Sequence, residues 1–155
     1  MLEDLPKECN VGCKKNSHGF IEQWKGYKMH IATADGDVPL AAILTSASMH
    51  DSQAAIPLMT LTSQRVLNLY DLFDAAYDDK RIANYSKALN HVPIIDINPR
   101  RNVELKNLLE IERKARKSIH WKTPEERRYN ERSSAERTNG RLKDEFGARN
   151  IRSVR

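Results

Sequence analysis

No stretch of the 155 residues approaches the roughly 20 apolar side chains that a bilayer-spanning helix requires. The Met-Leu-Glu-Asp start also lacks the basic flank and apolar core of a secretory leader. These absences exclude a helical membrane anchor from the expected architecture, and a cytoplasmic protein is expected. Cysteine is scarce as well, with Cys9 and Cys13 the only two. Together with His18 and His30 they can be drawn as a zinc site, but no second tight ligand pair follows, so the pattern stops short of a zinc motif. Two reduced thiols in a cytoplasmic chain need no disulfide. Internal repeats and low-complexity segments are absent too. A chain of this size buries roughly 70% of its unfolded surface, enough for one domain with one core.

Charge is plentiful but unevenly placed. Residues 1–98 hold 9 Lys and Arg against 12 Asp and Glu, a balance of −3, whereas residues 99–155 hold 17 against 9, a balance of +8. A basic block of this kind attracts a polyanion, and nucleic acid gains most because neutralised phosphates release condensed counterions. A solvated helix face produces the same composition, so charge alone does not decide the partner.

Residues 1–20 carry Pro6, Gly12, Asn16, Ser17 and Gly19 without apolar alternation, and are expected as loop or tail. From Trp24 to Ala34 apolar and polar side chains alternate with period 2, the pattern of a half-buried strand. Asp35-Gly36-Asp37 supplies turn chemistry, and Val38 to Leu44 follows as the second strand of a hairpin. The segment from His50 to Gln64 has near-helical spacing, with an interruption or start expected at Pro57. A buried strand is expected over Val66–Phe73, with Asn68 and Asp71 facing outward, and a helix over Asp78–Asn90. Val92–Ile97 reads as the next strand, ended by Asn98-Pro99. The clearest element is the last helix: Thr123 caps it, Pro124 suits the first position, Glu126 completes a Thr-x-x-Glu box and Gly147 stops it.

Within that helix Tyr129, Arg132, Glu136 and Lys143 lie at offsets that place all four within about 60° of arc, at about 100° per residue. A carboxylate flanked by a phenol and two cations is what a phosphodiester-cutting surface needs: the acid can hold a metal while Arg and Lys grip phosphates. The competing reading is an exposed i,i+4 Arg132–Glu136 pair, contributing only about 0.3–0.5 kcal/mol.

The spacing Tyr, two residues, Arg, three residues, Glu, six residues, Lys resembles the YREK signature of DDE transposases from bacterial insertion sequences. The likeness continues upstream through Gly26-Tyr27-Lys28-Met29-His30, Leu44 to Ser52, and Asp74-Ala75-Ala76-Tyr77-Asp78, covering most of the chain from about residue 20. The resemblance implies a mixed α/β, ribonuclease H-like sheet flanked by helices over residues 21–155. It implies Asp74 and Glu136 as catalytic, metal-binding carboxylates, and Tyr129, Arg132 and Lys143 as DNA contacts. It further implies Mg²⁺ or Mn²⁺ as cofactor, transposon ends and target DNA as partners, and a homodimer as the assembly. Asp51, in the His-Asp-Ser segment, matches a recurring family feature that is not one of the three acids.

The family's first catalytic Asp sits on a central strand ahead of the hairpin. Residues 1–23 contain only Asp4, in surroundings that make no strand, so that strand and its acid are expected to be missing and the chain alone inactive. Two other readings follow: a non-catalytic DNA-binding remnant of a transposase, and a ribonuclease H-like nuclease without strand transfer, against which the YREK match speaks.

Overall fold

The computed structural model describes residues 9–15 and 18–147, and their backbone divides into two compact units. The first comprises residues up to Leu67 together with those from Ser134 onward; the second is the contiguous stretch Asn68–Ser133.

In the first unit three antiparallel strands, β1 (Asn10–Lys15), β2 (Ile21–Ala34) and β3 (Val38–Ser46), lie in the order β1-β2-β3. The early half of β2 pairs with β1, from Asn10 opposite Gly26 to Lys15 opposite Ile21. Its later half pairs with β3, from Tyr27 opposite Ser46 to Ala34 opposite Val38, with an irregularity between Ala32 and Thr33. β1 corrects the expectation of loop or tail for residues 1–20, of which 1–8, 16 and 17 lie outside the described residues. The pairing succeeds despite weak strand propensity because Gly12 leaves room for the Trp24 indole opposite it. A Cβ at Gly12 would lie 2.6 Å from that ring and 2.8 Å from the Ala47 carbonyl oxygen. Tertiary contact, not alternation, makes this strand.

Helix α1 (Asp51–Ser63) packs on β2 and β3 and runs unbroken through Pro57, contrary to the expected interruption. Its buried face of Ala54, Ala55, Met59 and Thr62 holds the helix on the sheet past the missing proline N–H. Ala41, Ala47 and His30 complete a core of small side chains. His30 Nε2 and Thr45 Oγ1 share a hydrogen bond at 2.9 Å, and Lys28 Nζ reaches Asp51 Oδ1 at 2.8 Å and the Met49 carbonyl at 2.9 Å, tying the start of α1 to β2.

The second unit is a βαβ arrangement followed by helices. Strands β4 (Tyr70–Phe73) and β5 (Val92–Ile95) pair in parallel, Tyr70 opposite Val92 and Phe73 opposite Ile95, and are joined through a 3₁₀ turn at Ala75–Tyr77 and α2 (Lys80–Ala88). Then come α3 (Val103–Ser118), α4 (Pro124–Tyr129) and a 3₁₀ turn at Asn130–Arg132. β4 is shorter than expected: residues 66–69 are not strand, and Leu67 is fully exposed. Asp71, expected to face outward, is 11% exposed and central to a polar cluster. Its carboxylate accepts from Ser86 Oγ at 2.6 Å and Asn68 Nδ2 at 2.9 Å, with His91 Nδ1 at 3.0 Å, linking β4 to the end of α2.

The last helix is also corrected. The Thr123–Glu126 capping box forms as expected, with Pro124 opening the helix. The 3₁₀ turn then separates α4 from α5 (Ser133–Asp144), and α5 belongs from Ser134 onward to the first unit. Tyr129, Arg132, and the pair Glu136 and Lys143 therefore lie on three successive elements rather than on one helix. A pattern read at 100° per residue cannot register a tighter turn in its middle.

Candidate functional site

β4 and β5 end side by side, and each is followed directly by an aspartate. Asp74 caps the 3₁₀ turn, its Oδ1 accepting from the Ala76 N–H at 2.9 Å. Asp96 donates its N–H to the Phe73 carbonyl at 3.3 Å, continuing the strand pairing by one residue. The loops beyond are stapled together: the Asn98 N–H donates to Asp78 Oδ2 at 2.9 Å and Asn98 Nδ2 to the Ala75 carbonyl at 3.0 Å. Parallel strands of a βαβ unit commonly present ligand-binding groups at their carboxyl ends.

Tyr129, at the end of α4, is half-buried next to this edge. Burial, then its hydrogen bond to Asp96 and that carboxylate's charge, push the phenol up to about 12, with the Asp74 charge adding to the shift and Arg132 opposing it. The Arg132 guanidinium stands 5.5 Å from the Tyr129 ring centroid. Arg128 lies over Tyr70 at 4.1 Å, holding the end of α4 to β4. A cavity of about 300 Å³ opens beside the phenol, lined by Asp96, Ile97, Arg113, Arg116, Glu126 and Tyr129 among others. Of the residues expected at the site, the second unit thus gathers Asp74, Tyr129 and Arg132. It adds Asp96, which the sequence reading missed. The available signal was an apolar strand run ending in an acid, the same pattern that precedes Asp74.

Glu136 and Lys143 are on α5, in the first unit, and both are exposed. The helix is seated by its two buried hydroxyl residues, Ser134 and Thr138. Asp51 sits in the first turn of α1, engaged by Lys28. Cys9 and Cys13 are exposed thiols, while His30 is buried against Thr45. Among the described residues no group of three or more His, Cys, Asp or Glu side chains converges closely enough to hold a metal ion. The hard carboxylate oxygens of Asp74 and Glu136 suit Mg²⁺ in kind, but the described side chains do not complete a site.

The sequence matches the transposase DDE domain family over residues 11–155, nearly its whole length. The chain belongs to that family. Searches of curated proteins and of solved structures found no match. The mixed α/β architecture, with an antiparallel sheet in one unit, a parallel pair in the other and flanking helices, is consistent with the ribonuclease H-like fold of a transposase DDE domain. Membership implies an enzyme family that acts on DNA and normally uses divalent metal ions. No described helix is long and apolar enough to cross a membrane.

Proposed function

We propose that this transposase DDE domain is of the YREK-signature type. In this reading it cuts phosphodiester bonds at transposon ends and transfers the freed 3′-hydroxyl into target DNA. Asp74 and Glu136 are its catalytic carboxylates, and Tyr129, Arg132 and Lys143 grip DNA near the cut end. The observation that carries the reading is the placement of Asp74. It lies at the carboxyl end of β4 with one oxygen held by a backbone N–H, within the electrostatic reach of a half-buried Tyr129 that also meets Arg132.

The side chains divide the labour by chemistry. The protonated Tyr129 phenol gives its single O–H to Asp96 and would donate to a phosphate oxygen only by exchanging that partner. A guanidinium offers a planar donor fork that matches a phosphate, and an ammonium offers a point charge. A divalent ion, when bound, supplies the Lewis acid for a strand-transfer reaction. As the family resemblance implies, a third carboxylate would join Asp74 and Glu136 among its ligands.

The test is cleavage of duplex oligonucleotides carrying the element's ends, with Mg²⁺ or Mn²⁺, by the protein that carries this domain. Asp74→Asn and Glu136→Gln are expected to reduce cleavage to background while leaving DNA binding intact. Retained cleavage in either variant contradicts the assignment. Binding without cleavage in the unsubstituted protein favours the non-catalytic, DNA-binding alternative.

A further inference from the structure

The β2–β3 turn does more than reverse the chain. Gly36 and Asp37 both adopt left-handed backbone, with φ 76° and 65°. Glycine does so freely, whereas for aspartate the conformation is strained unless its side chain or backbone gains a partner. Asp37 gains three, all on α5. Its carboxylate accepts from Arg137 Nε at 2.8 and 3.0 Å, its carbonyl accepts from Thr138 Oγ1 at 3.1 Å, and its N–H donates to Ser134 Oγ at 3.1 Å. The Ser134 hydroxyl in turn donates to the Ala34 carbonyl at 2.9 Å, bridging the two sides of the turn.

Ser134, Arg137 and Thr138 stand at i, i+3 and i+4, one face of α5, and Ser134 and Thr138 are each only 3% exposed. At about 100° per residue, Glu136 and Lys143 fall within about 20° of each other and roughly opposite that face. An apolar helix face can slide or roll against its neighbour; a face held by directed hydrogen bonds has one rotation about its axis.

We infer that Asp37 is a positioning residue for Glu136: the β2–β3 turn latches α5 by its polar face and thereby fixes the rotation of the opposite face, which carries Glu136 and Lys143. This rests on the reading of Glu136 as a metal-binding carboxylate given above. Asp37 itself touches neither substrate nor metal.

The test uses the full chain with Asp37→Asn, Thr138→Val and Glu136→Gln, followed by backbone amide exchange and by Mn²⁺ binding. Asparagine tolerates left-handed backbone but removes the charge facing Arg137, and valine keeps the volume of Thr138 while removing its donor. Both latch variants are expected to speed amide exchange in α5 by about tenfold or more while α2 keeps its protection. Both are also expected to weaken Mn²⁺ by about tenfold, as loss of a ligand's support does. Glu136→Gln weakens Mn²⁺ without changing exchange. Unchanged exchange in α5, or faster exchange with parental Mn²⁺ affinity, overturns the inference. Mn²⁺ binding indifferent to Glu136→Gln sinks instead the reading of Glu136 as a ligand, and the latch is then decided by the exchange data, which do not depend on it.

Discussion

His30 illustrates how a single residue carries a pH dependence. Burial is the main cause that lowers its pKa below the usual 6.5; Lys28 adds to the shift and Asp51 opposes it. A lowered folded value means the unfolded chain binds the proton more readily, so the stability contributed by neutral His30 is present above about 6.5 and lost as the pH falls through the folded value. Urea midpoints are expected to fall on acidification from pH 7 to 5. His30→Gln, which keeps a hydrogen-bonding group toward Thr45, should flatten that fall; an unchanged slope would rule out His30 as its source. Tyr129 moves the other way, and absorbance titration should show one phenol ionising near 12 that disappears in Tyr129→Phe and shifts down in Asp96→Asn. At this scale the spacing singled out Tyr129 and Arg132 and the resemblance singled out Asp74, and the structure brings these three together in one unit. Asp96 and Asp71 were not legible, because an acid after or within a short apolar run reads equally well as turn or solvent-facing strand. Only pairing with Tyr129, or with Ser86 and His91, gives them a role. Ser86 is 0% exposed, so Asp71→Ala, which strands its hydroxyl, should cost roughly 1–3 kcal/mol in a chemical denaturation curve.

Among the elements, those that announce themselves locally were legible. The hairpin of β2 and β3, the βαβ unit and the capping box of α4 each have a local signature in alternation, turn chemistry or cap residues. β1 has none, since its existence depends on Gly12 admitting the Trp24 ring. Gly12→Ala should therefore displace β1 or the indole, costing about 1–3 kcal/mol and shifting Trp24 fluorescence, read in a Trp121→Phe background. Parental stability and emission would show that the strand does not need the close approach. The split between α4 and α5 was equally invisible: helix propensity continues smoothly across Asn130–Arg132, and it is the docking of Ser134 and Thr138 on the β2–β3 turn that claims α5 for the first unit.

At the scale of the whole molecule, charge and pairing set the expectations. The +8 balance of residues 99–155 predicts duplex binding with little sequence preference. If six phosphates are neutralised, affinity should fall by about 10³ between 50 and 200 mM salt, and salt-independent binding would remove the electrostatic account. Among the described residues β4 pairs only with β5, and Leu69, Leu67 and Met29 are exposed apolar side chains. An unpaired strand edge beside exposed apolar side chains invites pairing with another strand, so self-association that rises with protein concentration is expected. The proposed function makes both Asp74 and Glu136 metal-binding carboxylates. Anomalous diffraction from Mn²⁺ in a crystal of the protein with transposon-end DNA tests it directly. The account predicts one Mn²⁺ with carboxylate oxygens of both Asp74 and Glu136 at about 2.1 Å or joined to it through a single water. An ion held by one of the two, with the other reaching it neither directly nor through a water, would contradict it.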